Sequence, residues 1–216
     1  MNFATDRDLL ILEPNLVRDV GWAGQTLARG NGSVAGSRLT IDAIDLQVRA
    51  VTIGMVALVG GLPLEITGFV NSSTAEVSLI RDNPAAPVRP PFNLAPSPTS
   101  ITTFSPQIAL AHAQLLRMFG LEPAGSPAAA LACAMTEDRV TNARDLSLLE
   151  SLCALHMIYS AASAMLGPDS APGRRADLYA QRFAAERFRA VAKLDLDGDS
   201  IPDTHRRASV MQLTRG

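Results

Sequence analysis

The sequence predicts an α+β fold in which a small antiparallel β-barrel-like domain precedes an α-helical bundle. Three observations carry this expectation. Residues 25–81 alternate short apolar runs with Gly, Asn and Ser turns. Residues 82–100 then collect Pro84, Pro87, Pro90, Pro91, Pro96 and Pro98. From Ser105 onward apolar residues recur at helical spacing. These shifts divide the chain into a β-rich domain (1–81), a proline-rich linker (82–104), a helical domain (105–203) and a carboxy-terminal docking arm (204–216).

In the first domain, the apolar run 9–12 stops at Glu13 and Pro14, and Pro14 suits the first position of a helical turn or two. Trp22, the only tryptophan, is expected in the core. Strands are expected at 25–28, 37–41, 46–51, 55–59, 64–70 and 75–80. Gly30-Asn31-Gly32, Gly36-Ser37, Gly60-Gly61 and Asn71-Ser72-Ser73 supply the turns between them. Residues 56–66 read as a hairpin around the Gly60-Gly61 pair. So many short strands would leave bare edges unless the sheet closed on itself, hence the barrel. The Gly-rich stretch 30–36 lacks the lysine of a phosphate loop and leads into a strand, which argues against nucleotide binding. The prolines after it favour extended, semi-rigid chain and mark the boundary.

Ser105 and Pro106 then form a helix start. Ile108, Ala111, His112, Leu115, Leu116 and Phe119 share its apolar face, and Gly120 ends it. His112, on that face, reads as a hydrogen-bonded core histidine. Residues 128–135 suggest a short Ala-rich helix, and Thr136-Glu137-Asp138 opens the next segment. Residues 145–166 are apolar nearly all round and read as the central helix of the bundle, terminated by Gly167-Pro168. The longest apolar run, 152–166, falls short of the roughly 20 residues a bilayer requires. No membrane is expected.

A further helix is expected over 172–194, with Ala176, Ala180, Phe183, Ala184, Phe188, Val191 and Leu194 as its apolar stripe. Arg174, Arg175, Arg182, Arg187, Arg189 and Lys193 make its other side basic. Asp195, Asp197, Asp199 and Asp203 follow at relative positions 1, 3, 5 and 9, a spacing at which carboxylates can converge on a hard cation such as Ca²⁺. The match to a calcium loop is incomplete, with Gly198 at position 4 and Arg206 at position 12. The other reading of the loop is a turn braced by its own carboxylates. His205, Arg206 and Arg207 lead into a strand-like end in which Val210 and Gln212 share one face and Leu213 takes the other. Those residues, with Arg215, are the expected partner contacts, able to add a strand to another chain's sheet.

Composition narrows the function. The chain has 216 residues, 47% hydrophobic and 19% charged, with net charge −2, so nothing draws it as a whole to nucleic acid. Asp6, Arg7 and Asp8 stand where a signal peptide would carry its apolar core, so the cytoplasm of synthesis is the expected location. Cys133 and Cys153 lie in Ala/Leu-rich surroundings and read as reduced, buried thiols. His112, His156 and His205 have no metal-ligand spacing, and GxSxG, HExxH and CxxC are absent. The expectation is a protein that is not an enzyme and carries no cofactor, with Ca²⁺ the one candidate ion.

The opening 5–15, the Gly-rich barrel, Ser105-Pro106-Gln107-Ile108-Ala109-Leu110-Ala111-His112 and the ending Leu194-Asp195-Leu196-Asp197-Gly198-Asp199 with Arg206 and Arg207 resemble head-to-tail connector, or adaptor, proteins from the necks of tailed bacteriophages. The resemblance implies an adaptor-type helical bundle over about 105–203, with the barrel as an addition. It further implies a structural virion protein, a dodecameric ring bound beneath the portal. The ring would extend the DNA channel and meet tail or neck proteins, with genomic DNA passing through without sequence-specific binding. No catalytic residues are implied. The runner-up is a soluble binding module with a Ca²⁺-stabilised Asp loop.

Overall fold

Six strands close into the barrel that the short β runs anticipate, in the order β1-β2-β5-β4-β3-β6. They are β1 (Gln25–Ala35), β2 (Arg38–Ile41), β3 (Val56–Val59), β4 (Leu62–Asn71), β5 (Thr74–Leu79) and β6 (Leu94–Thr103). The computed structural model describes residues 2–127 and 135–208. Contacts divide the chain into two units, one of Thr5–Ser105 and the other of Met1–Ala4 with Pro106–Gly216.

The barrel unit begins with α1 (Asp6–Leu12) and α2 (Leu16–Val20). Asp8, at the third position of α1, accepts the Thr5 amide at 2.8 Å. The Gly60-Gly61 turn joins β3 to β4 with Val59 opposite Leu62, both glycines at positive φ as a type I′ turn requires. The core gathers Val34, Leu39, Ile41, Leu46, Val59, Leu64, Ile66, Val77 and Ile101. Each such buried aliphatic side chain is worth roughly 1.5–3 kcal/mol.

Four expectations change in this unit. The expected linker supplies β6, which pairs with both β1 and β3. Its prolines are tolerated because a proline loses only its N–H donor: the Pro98 carbonyl still accepts the Gly60 amide at 2.9 Å. Gly30-Asn31-Gly32 runs inside β1 instead of turning. Residues 46–51 form turns instead of a strand, because Asp45 Oδ1 accepts the amides of Gln47 and Val48, each at 3.0 Å. Trp22 is 51% exposed on a 3-10 turn, and Leu9, Leu16 and Phe104 take the buried places instead.

The helical unit is built from α3 (Ser105–Phe119), α4 (Ala143–Leu166) and α5 (Ala171–Arg187), with a two-stranded sheet of β7 (Val191–Leu194) and β8 (Thr204–Arg207). The buried side of α3 is the one its spacing predicts, Ile108, Ala111, His112, Leu115, Leu116 and Phe119. Helix α4 is buried without a break from Leu149 to Leu155, as a central helix must be. At 24 residues it is longer than its apolar run suggests. By length and composition it could cross a membrane, but 56% of its most apolar stretch is buried inside the fold. Gly167, at φ 93°, ends it. Most of the Ala-rich segment 128–135, and Cys133 within it, lie outside the described residues.

Helix α5 starts where Ser170 Oγ accepts the Gly173 amide at 3.2 Å, and it stops earlier than its charge pattern suggests. The expected helix to Leu194 ends at Arg187, because Val191–Leu194 is drawn into pairing with β8. Its buried face is Gly173, Ala176 and Tyr179, with the Tyr179 ring stacked on Tyr159 of α4 at 5.7 Å. Ala184 and Phe188, placed in the apolar stripe by spacing, are exposed.

Candidate partner-docking site

The carboxy-terminal segment singled out by its charges is a hairpin. Strands β7 and β8 pair in the register Val191↔Arg207, Ala192↔Arg206, Lys193↔His205 and Leu194↔Thr204, with the Asp-rich loop 195–203 at the tip. The inner edge of β7 is fastened to the helical unit. Thr141 donates its amide to the Lys193 carbonyl, and Asp195 donates its amide to the Arg139 carbonyl, both at 2.9 Å. The Lys193 amide reaches Asn142 Oδ1 at 2.8 Å, and the Arg139 guanidinium donates to the Leu196 carbonyl. The outer edge of β8 has no strand partner among the described residues.

Inside the loop, Asp195 accepts the amides of Gly198 at 2.6 Å and Ser200 at 2.7 Å. Asp203 accepts that of Leu196 at 2.7 Å. Asp197 accepts that of Asp199 at 3.3 Å. The Gly198 amide, followed by that of Ser200, holds the Asp195 carboxyl below its ordinary pKa. Gly198 sits at φ 89°, a conformation that lets the chain double back on its own carboxylates.

Asp195, Asp197 and Asp203 bring one oxygen each to within 4.8 Å of one another. Asp199 does not join them and accepts the Ile201 amide at 2.7 Å instead. The three carboxylates are donors of the hard kind that suit Ca²⁺, but fewer than the six to eight oxygens it takes. Arg206, at the twelfth position, points elsewhere: its guanidinium donates to the carbonyls of Phe119 at 3.2 Å and Gly120 at 3.0 Å, closing the end of α3. Of the expected partner residues, Arg206 is therefore committed within the fold, and His205 and Arg207 are exposed on β8. Val210, Gln212, Leu213 and Arg215 lie outside the described residues.

A second polar cluster lies in the interior of the helical unit. His112 Nδ1 is 2.9 Å from Glu150 and its Nε2 is 2.5 Å from Glu137. Glu150, fully buried, also accepts the backbone amides of Phe3 and Ala4, each at 3.2 Å, and the Phe3 ring packs edge-on at 4.7 Å from the imidazole. Burial opposes a charge on the ring, but the hydrogen bonds to Glu150 and Glu137 outweigh it and raise the His112 pKa above its ordinary value. With both ring nitrogens occupied, this is a core histidine, as its position on α3 predicts. Its partners were missed, although a lone Glu150 between Leu149 and Leu152 was the available signal. Nearby, burial and then the Glu150 charge push the free Cys153 thiol up to about 12.

No protein-family model, curated protein or solved structure matches this chain.

Proposed function

We propose that this chain is a structural, non-enzymatic virion protein of a tailed bacteriophage, a neck subunit of the adaptor type. It is made in the host cytoplasm and assembles as a dodecameric ring beneath the portal. The ring extends the DNA channel without reading the sequence of the genome and offers a platform to tail or neck proteins. The observation that carries this reading is the hairpin: a helical unit whose last helix delivers a fastened β7–β8 pair, with the β8 edge open and His205 and Arg207 exposed along it. An open edge of this kind accepts a strand from another chain, and the Arg207 guanidinium favours an acidic one. A helical unit followed by a hairpin and a basic carboxy-terminal segment is the order that the resemblance in the sequence implies.

Arg207 lies exposed on the open β8 edge. Arg207→Glu should keep the melting temperature of the chain and weaken binding to purified portal rings about tenfold, measured by co-sedimentation. Undiminished portal binding by the variant would overturn the docking-arm reading.

A further inference from the structure

Helix α5 carries an exposed stripe that nothing within the described residues covers. Arg174, Leu178, Arg182, Ala185 and Arg189 follow one another at steps of four, four, three and four and are all exposed. They therefore share one side of α5 and of the turn that continues it, where the amides of Arg189 and Ala190 still reach the Glu186 carbonyl. Leu178 is 41% exposed at the centre of the stripe, and Phe188 is 62% exposed beside it. The Arg182 guanidinium lies over the Tyr179 ring, 5.8 Å from its centroid, which orients it and leaves its donors unused.

The same unit holds the complement. Among the described residues, no ion pair engages Arg174, Arg182 or Arg189, although Arg174 donates to the Asp169 carbonyl at 2.6 Å, and none engages Asp195, Asp197, Asp199 or Asp203. Three carboxylates drawn to within 4.8 Å of one another repel, and the amides that brace them bring no net charge. A guanidinium is a fitting neighbour, since its planar fork donates to two carboxylate oxygens at once. The stripe is about 12 Å long between Arg174 and Arg182 at the usual helical rise, a length a nine-residue loop can cover.

We propose that the arginine stripe of α5 in one copy docks on the Asp-rich hairpin loop of a second copy. The proposal rests on the ring reading above and assigns the two faces of its subunit contact. The faces differ, so the contact is heterologous and propagates from copy to copy until a ring closes. The near-neutral balance of the whole chain, −2, favours such self-pairing over attraction to DNA.

Charge exchange tests it, by sedimentation velocity in EDTA at low salt so that no divalent ion stands in for the guanidinium. The wild type should self-associate reversibly, and association should fall as salt rises. Arg182→Asp with Arg189→Asp should weaken self-association about tenfold or more, and so should Asp197→Arg with Asp199→Arg. An equimolar mixture should regain association, because each altered face then meets its opposite in the other variant. A wild type that stays monomeric, swaps that leave association unchanged, or a mixture that does not recover would each overturn the proposal. So would loss of binding to a duplex oligonucleotide in the arginine variant with self-association intact. Portal co-sedimentation of the same variants separates this contact from the ring reading: variants that keep both self-association and portal binding remove the interface and leave the adaptor assignment standing, whereas a wild type that binds no portal overturns the adaptor assignment by itself.

Discussion

Asp6 lies buried in the barrel unit, its two oxygens accepting the Thr103 hydroxyl at 2.6 Å and the Phe104 amide at 2.7 Å. Burial pushes its pKa up from 3.8 to about 6, against those hydrogen bonds. The folded state then holds a proton that the unfolded chain releases near pH 4, so this residue's contribution falls as pH rises from about 4 to about 6. Asp6→Asn should flatten that slope and be more stable than wild type at pH 7 by up to about 3 kcal/mol, with no advantage at pH 3.5, in urea titrations. Equal differences at both pH values would refute the assignment. His112 has the opposite sign. Its raised pKa makes a stabilising contribution that is full below about pH 6.5 and is lost as pH climbs through the folded value. His112→Ala should cost the helical unit about 3 kcal/mol at pH 6, by leaving Glu137 and Glu150 without a cation, and less at pH 9. At this scale the sequence was partly legible: helical spacing placed His112 inside, but spacing along a chain does not say which carboxylates will arrive from 25 and 38 residues away.

The elements read best where one local rule decided the outcome. The Gly60-Gly61 hairpin, the face of α3 and the Gly167 stop follow from turn chemistry and period. They read worst where pairing across the fold overrode local preference. Residues 191–194 continue an apolar helical spacing, yet they form β7 because β8 and residues 139–141 offer partners on both edges. β6 grew out of proline-rich chain for the same reason. The Asp spacing was legible as a loop, and the removal of Asp199 from its centre was not, since that depends on which amides point inward. Arg206 ties the hairpin to α3, close against Gly120, whose φ of 64° closes that helix. Arg206→Ala should lower the melting temperature of the helical unit, costing about 1 kcal/mol, chiefly through the part-buried Phe119 carbonyl it leaves without its donor, since that of Gly120 is exposed to water. It should leave the Asp6-dependent titration of the barrel unit unchanged. A variant as stable as wild type would return Arg206 to the set of free partner contacts.

At the scale of the whole molecule, the change of composition near residue 82 suggested a boundary that the fold places at Ser105. The first residues, up to Ala4, belong with the helices. Their membership had no sequence signal, because backbone amides bonding a distant carboxylate leave no pattern in side chains. It has a consequence for how the chain is born. The Phe3 amide waits for Glu150, 147 residues later, which at ribosomal speeds of about 5–20 residues per second is a delay of roughly 7–30 s. The barrel unit spans Thr5–Ser105 and can close during that interval, whereas the helical unit has to wait for Glu150 before it can take up Phe3 and Ala4. Synthesis order therefore lets the barrel close ahead of the helices, while Phe3 and Ala4, made before it, wait for a carboxylate made after it.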